Sequence, residues 1–202
     1  MEEKDEKYTD DMISPADSDH KKKGLWRDVL DMIIYCGIIL LITYLVVTYV
    51  GQRTEVIGSS MYPTLEDGDN LIVDKISYRF KDPERFDIIV FPFQYQEDTY
   101  YIKRIIGLPG ETVQIDEKGN IYINGEILQE SYGREIIFPE NIGVAKAPIV
   151  LGEDEYFVMG DNRNNSSDSR TEIVGIIHRD DIIGKAWLRI WPFDKFGVLK
   201  HQ

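Results

Sequence analysis

Cysteine is almost absent from this chain: Cys36 is the single one in 202 residues. It lies inside the longest apolar run, so the polypeptide after that run has no thiol pair for a disulfide and no thiolate set for zinc. An oxidising exterior permits disulfides without requiring them, so this absence leaves the compartment open. Histidine is scarce too, with only His20, His178 and His201. Positive charge is outnumbered, at 23 Lys and Arg against 36 Asp and Glu, for a net charge of −13. Without a basic face the chain has nothing to exchange for the counterions of a phosphate backbone, which argues against a nucleic-acid partner. There is no internal repeat and no low-complexity stretch, and helical periodicity is weak beyond residue 51.

What the chain does have is 19 residues without a charge, from Met32 to Val50. At about 1.5 Å per helical residue the run reaches roughly 28 Å, close to a hydrocarbon core. A soluble core helix would carry a polar stripe. Here the polar side chains are only Tyr35, Cys36, Thr43, Tyr44, Thr48 and Tyr49. Trp26 before the run and Tyr49 at its far end suit the two interfaces. Lys21, Lys22, Lys23 and Arg27 precede it closely, and Arg53 alone closely follows. The positive-inside rule therefore predicts a cytoplasmic N-terminus and an extracytoplasmic chain after about residue 51. Val50-Gly51-Gln52-Arg53 lacks the small-residue pattern of a cleavage site, so the run reads as an uncleaved signal anchor. Residues 1–20 hold eight Asp or Glu against two Lys and few apolar residues, the composition of a disordered tail. The expected division is a cytoplasmic, disordered acidic tail over 1–30, a transmembrane anchor over 31–51 and an extracytoplasmic domain over 52–202. Such a protein passes the cell membrane once.

The third segment is long enough for one domain with a real core, and it reads as short strands between turn residues. Leu71-Ile72-Val73, Ile88-Ile89-Val90-Phe91 and Tyr100 to Ile106 are apolar, β-branched runs. Thr112 to Ile115, a Glu117-Lys118-Gly119-Asn120 turn and Ile121-Tyr122-Ile123 read as a hairpin. Asn124-Gly125 is a two-residue turn signal leading to Glu126-Ile127-Leu128. Tyr156 to Met159 and Ile182 to Trp191 complete the set. The expected fold class is mainly β, an antiparallel domain with long loops after a single transmembrane helix. Residues 129–152 read as a loop excursion over the sheet.

Candidate chemistry centres on Ser60, about ten residues beyond the apolar run, in Gly58-Ser59-Ser60-Met61-Tyr62-Pro63-Thr64-Leu65. Glycine, a Ser pair and Pro63 also suit a plain turn. A serine nucleophile needs a base, most often histidine. His20 lies before the apolar run and His201 is penultimate, which leaves His178 for a Ser-His-Asp arrangement. A lysine can act instead if burial keeps its amine neutral. Lys103 sits in a strand-like run whose alternation places Thr99, Tyr101, Lys103 and Ile105 on one face and Tyr100, Ile102, Arg104 and Ile106 on the other. The competing reading of Lys103 is an edge-strand charge that discourages aggregation. The polar stretch Gly160-Asp161-Asn162-Arg163-Asn164-Asn165-Ser166-Ser167-Asp168-Ser169-Arg170 could be a dense turn, with Asp168 and Arg170 as a surface ion pair of little energetic value.

Taken together and in order, four stretches closely resemble bacterial type I signal peptidases: Ser60-Met61-Tyr62-Pro63-Thr64-Leu65, Gly68-Asp69, Tyr101-Ile102-Lys103-Arg104-Ile105-Ile106-Gly107-Leu108-Pro109-Gly110-Glu111 and Gly160-Asp161-Asn162-Arg163 through Asp168-Ser169-Arg170. The resemblance covers nearly the whole segment after the anchor and implies the catalytic fold that this family shares with self-cleaving repressors. It implies a serine endopeptidase that removes signal peptides from secretory preproteins after small residues three before and one before the cut. Ser60 matches the nucleophile, Lys103 the general base, and Ser166 the serine that orients the lysine by a hydrogen bond. Asp168 and Arg170 match a structural pair, with Arg104 nearby. Met61, Leu65, Tyr101 and Ile102 match residues lining the shallow pockets for small side chains. The implied partners are preproteins, the lipid bilayer and the translocation machinery; no cofactor and no metal are implied.

Two departures stand out. Some members carry a serine two residues before the nucleophile whose hydroxyl serves the oxyanion hole, where this chain has Gly58. Only 62 positions separate Lys103 from Ser166, so the large accessory β domain of some relatives is missing. The single anchor, the short domain and Gly58 together resemble the Gram-positive type. Self-cleaving repressors need a DNA-binding helix-turn-helix at the N-terminus, where this chain has an acidic tail and an apolar span. The remaining alternative is an anchored binding module or inactive homologue in which Ser60 and Lys103 are incidental.

Overall fold

The computed structural model of the chain describes residues 15–45, 51–133 and 135–200, with side chains from Trp26 onward in the first of these stretches. Two compact units divide between Val46 and Val47. The first is helix α1, Pro15–Leu45. Its segment Trp26–Leu45, 20 residues with a mean hydropathy of 2.0, is long and apolar enough to cross a membrane. Ile33, Ile39 and Leu40 are all exposed on it, as fits a helix that is apolar around its circumference. The helix begins earlier than composition predicts: residues 15–30, expected in a disordered tail, are helical from Pro15. Proline is pre-set for the first helical position, and a helix nucleated by an apolar run extends at low cost per added residue. Residues 1–14, and the predicted far end of the span with Tyr49, lie outside the described residues.

The second unit is a β domain. Its strands are β1 (Gly51–Glu55), β2 (Asn70–Asp74), β3 (Ile88–Pro92), β4 (Tyr100–Gly107), β5 (Thr112–Ile115), β6 (Ile121–Ile123), β7 (Glu126–Ile127), β8 (Ile149–Val150), β9 (Glu155–Met159), β10 (Ile177–His178), β11 (Gly184–Trp191) and β12 (Gly197–Val198). They form two antiparallel sheets. One has the order β1-β2-β11-β3-β4-β9-β10, with β12 beside β11; the other is β7-β6-β5-β8. The mainly β, antiparallel reading therefore holds.

Strand alternation sorts the core into three clusters. Ile88 and Val90 of β3 pack with Val56, Met61, Leu65 and Ile102. Ile89 and Phe91, one residue out of phase, pack with Ile105, Tyr156 and Val158. Phe157 and Met159 of β9 turn the other way and join Ile106 to the second sheet through Val113, Ile115 and Ile121. Strands buried on both faces read as unbroken apolar runs, which is why these central strands are visible in the sequence. The Asn124-Gly125 turn is also as predicted: both residues have positive φ, 53° and 85°, as a type I′ turn requires.

The strands that the sequence reading misses are β1, β8, β10 and β12. β1 is Gln-Arg-Thr-Glu after a glycine, largely exposed at the sheet's edge. The other three are two residues long, too short for alternation to register. Residues 129–152 are more than an excursion. Ile137, Ile142, Ala145 and Leu151 are buried against the second sheet, and Ile149–Val150 pairs with β5.

Candidate active site

The Ser60 loop is held from below by its own apolar residues. Met61 and Leu65 sink into the core at 2% and 0% exposure, and Leu65 N–H closes a turn onto Met61 O at 2.9 Å. Gly58 adopts φ +91°, a left-handed value that glycine takes without a side-chain clash. Its N–H donates to Asp67 Oδ1 at 2.6 Å. Ser60 itself is half-buried at the mouth of the loop.

The Gly160–Arg170 segment holds the same loop from the side. Asn162 N–H donates to Ser60 O at 3.0 Å, Asn162 Nδ2 to Ser59 O at 3.0 Å and Asn165 Nδ2 to Ser59 Oγ at 2.9 Å. Gly160 is forced by this approach: a Cβ there would meet Ser60 O at 2.4 Å and Ser166 Oγ at 2.3 Å.

β4 brings in Lys103. Its backbone pairs with Ile89 of β3, and its side chain shares a face with Tyr101, the ammonium lying 4.9 Å from that ring's centroid. Nζ lies 2.9 Å from Ser60 Oγ and donates to Ile102 O at 2.9 Å. The lysine is only 4% exposed, which removes the edge-strand reading. Burial lowers its pKa to about 8, against the pull of the Asp168 and Asp161 charges. Nζ can donate to Ser60 Oγ as an ammonium; as a neutral amine it presents a lone pair to the hydroxyl proton.

The two acids are themselves occupied. Arg104, opposite in phase to Lys103, donates from Nε to Asp161 Oδ1 at 2.8 Å and from Nη2 to Asp161 Oδ2 at 2.7 Å. Thr64 Oγ1 donates to the same carboxylate at 2.5 Å. Arg170 holds Asp168 by a second fork, Nε to Oδ1 and Nη2 to Oδ2, both at 2.8 Å, with Gly160 N–H on Oδ2 at 3.0 Å. Burial pushes the Asp168 carboxyl up, but the Arg170 hydrogen bonds and charge outweigh it, and the net pKa is lowered. Asp168 and Arg170 are thus a buried pair rather than a surface one.

Of the predicted residues, Ser60, Lys103, Arg104, Ser166, Asp168 and Arg170 gather here. The predicted hydrogen bond from Ser166 to Lys103 is not formed. Ser166 Oγ is buried beside Gly160 and turned to the Asp168 carboxylate, whose pKa it helps to lower, while Lys103 Nζ already meets Ser60 Oγ and Ile102 O. A groove of about 580 Å³ opens in front of Ser60, with Met61, Tyr101 and Ile102 among its lining residues. Leu65 does not line it, because it is wholly in the core beneath. The opposite wall is Thr54-Glu55-Val56-Ile57, from a strand too polar to be seen in the sequence. β1 ends its sheet, and β4 meets β9 only from Arg104 onward. Among the described residues both walls therefore present strand edges. His178 is elsewhere, 51% exposed beside Asp154 at 3.5 Å, so the Ser-His alternative has no geometry.

The sequence reading assigned no role to Asp161, Thr64, Glu130 or Tyr132. Glu130 takes the Arg163 fork at 2.5 and 2.6 Å, and the Arg104 guanidinium lies 3.8 Å from the Tyr132 ring centroid. The clue was a charge count: three arginines near two acids in these polar stretches need carboxylates if buried. Breaking one such pair should be costly. Asp161→Ala leaves Arg104 buried at 1% exposure and should destabilise the full chain in detergent by about 3–5 kcal/mol in urea unfolding. Glu117→Ala, which removes the exposed 3.3 Å pair with Lys146, should scarcely move the midpoint. Equal effects would mean that the Arg104–Asp161 pair does not organise the site.

Comparison with known proteins gives the family. Residues 29–191 match the family profile of signal peptidase, peptidase S26. A probable signal peptidase I-2 of Synechocystis sp. is 42% identical over 157 residues, covering 75% of this chain and 68% of its own. Signal peptidase I P of Bacillus subtilis subsp. natto is 35% identical over 185 residues, covering 89% and 98%, and it shares the Gram-positive likeness. A crystal structure of a signal peptidase I from Enterococcus faecalis aligns at 36% identity with a TM-score of 0.42, over 52% of this chain and 97% of that one. With its profile matched from the apolar helix through β11, the chain belongs to the signal peptidase family, peptidase S26, and is a serine-peptidase hydrolase.

Proposed function

We propose that this chain cuts N-terminal signal peptides from secretory preproteins with a Ser60-Lys103 dyad, after small residues three before and one before the scissile bond. The observation that carries the proposal is the 2.9 Å contact between Lys103 Nζ and Ser60 Oγ, with the lysine buried and its pKa lowered to about 8. The neutral amine takes the hydroxyl proton as Oγ attacks the carbonyl, then returns it to the leaving amine; a water activated the same way releases the acyl enzyme. Ser60 N–H is one donor for the developing oxyanion. Gly58 offers no hydroxyl, and its N–H is already given to Asp67, so it is not the second donor. Ser166, Asp168, Arg170 and Arg104 act as supports of the dyad. An extended peptide would add to the exposed edges of the groove, its small side chains facing Met61, Tyr101 and Ile102.

In this reading helix α1 anchors the protein in the cell membrane with the N-terminus cytoplasmic and the catalytic domain outside, next to the bilayer and the translocation machinery. The cations Lys21, Lys22, Lys23 and Arg27 before the span support that orientation. Protease added to intact protoplasts should leave the first 30 residues protected; their digestion from outside would reverse the topology.

Ser60→Ala and Lys103→Ala should each reduce preprotein cleavage at least about 10³-fold with the fold intact. The double variant should be scarcely worse, because members of one catalytic unit lose activity non-additively. His178→Ala should be nearly silent. Near-wild-type cleavage by Lys103→Ala would remove the dyad.

The lysine also sets a pH dependence. kcat/KM on a soluble peptide with alanines before the cut should rise through about pH 8, rather than near 6.5 as for a histidine base. Stability follows with a definite sign. Between about 8 and 10.5 the unfolded lysine keeps a proton that the folded one has lost, so this group's contribution to stability rises with pH. Below 8 both states are protonated and the fold carries the whole cost of a buried ammonium, on the order of 3 kcal/mol. Lys103→Met should therefore be inactive yet more stable at pH 7, with the gain shrinking toward pH 10 in urea unfolding. A gain independent of pH would show that the lysine is not buried as an ammonium near neutrality.

A further inference from the structure

A second cavity, of about 510 Å³, lies apart from the catalytic groove. Among the described residues four cations line it, Arg104, Arg189, Lys195 and Lys200, and no carboxylate does. In a chain of net charge −13, an all-cationic lining runs against composition. The acids that pair with three of these cations are Asp161, Asp69 and Glu66, and none of them lines the cavity.

The walls are built rather than incidental. Arg189 is held by Asp69, 3.2 Å from Nε, and donates from Nη2 to Thr64 O. Only 12% of its side chain is exposed. Arg104 is fixed by its fork on Asp161. The far wall runs from Phe196 to Lys200 and is pinned where β12 pairs with β11, where Leu199 N–H donates to Trp187 O at 2.8 Å and where the Leu199 side chain enters the core. The Tyr132 ring closes one side, its buried hydroxyl turned to the Glu130 carboxylate; burial and the Glu130 charge push that phenol's pKa well up, so it stays neutral. Cations gathered around one concavity are what a phosphate needs.

We propose that this cavity binds a phosphate group, with an anionic lipid headgroup as its source. The rim favours the lipid: Phe196 lines the cavity, and Trp191, Phe193 and Phe196 are all exposed beside Lys195. Such aromatics settle at headgroup depth, and basic residues there attract anionic lipid. The same chain carries an apolar helix long enough to cross a membrane.

The test reads binding, so it stands or falls separately from peptide cleavage. The full chain in neutral detergent micelles is titrated calorimetrically with short-chain phosphatidylglycerol, with short-chain phosphatidylcholine and with inorganic phosphate alone. Lys195→Glu/Lys200→Glu and Lys195→Arg/Lys200→Arg serve as paired variants. Both positions are exposed, and circular dichroism checks the fold. Saturable phosphatidylglycerol binding should weaken at least about tenfold in the Glu variant and persist in the Arg variant, with phosphatidylcholine far weaker. Inorganic phosphate binding as tightly as the anionic lipid would keep the phosphate site but overturn the lipid as its source. No saturable binding of either anion, or equal binding by the Glu variant, would overturn the proposal.

Discussion

The Arg104–Asp161 pair is the joint on which the site depends. It connects β4, which carries Lys103, to the loop after β9, which carries Ser166 and Asp168, and Thr64 brings in the loop of Ser60 on the same carboxylate. Three segments distant in sequence are thereby referred to one planar fork. Such a pair is a poor source of net stability, because desolvating both ions offsets most of their attraction. Its value is geometric: a bidentate guanidinium–carboxylate contact has one orientation, and that orientation sets where Nζ and Oγ meet.

The same pairings protect the lysine's chemistry. Asp161 and Asp168 are the charges that oppose the lowering of the Lys103 pKa. Left unpaired they would hold the amine protonated. Arg104 and Arg170 sit on them as forks, so desolvation dominates and the amine can be neutral near pH 8. The buried cost of the lysine, the buried pairs and the close approach at Gly160 belong to one arrangement, in which an amine of lowered pKa is held against Ser60 at the expense of stability.

How much of this was legible depended on burial. β3, β4 and β9 were visible because strands covered on both faces leave unbroken apolar runs, and Asn124-Gly125 was visible because few dipeptides tolerate two positive φ values. β1 was invisible because Gln52, Arg53 and Thr54 pair along an edge, where solvent imposes no pattern on side chains. That omission hid one wall of the groove in front of Ser60. Leu65 was misplaced for a related reason: adjacency to Ser60 says nothing about whether a side chain points to the groove or to the core.

The sequence by itself determined the apolar span and the antiparallel β class, which rest on composition and alternation, while Ser60 and Lys103 came forward together only through the family resemblance of their motifs. The tertiary structure alone decided that Lys103 is buried, that Arg104 answers Asp161 rather than solvent, that Ser166 stands off the lysine, and that Arg104 joins three cations from residues 189–200 in lining one cavity. Those outcomes depend on distances between segments, and desolvation and Coulomb attraction act through space, where order along the chain has no force.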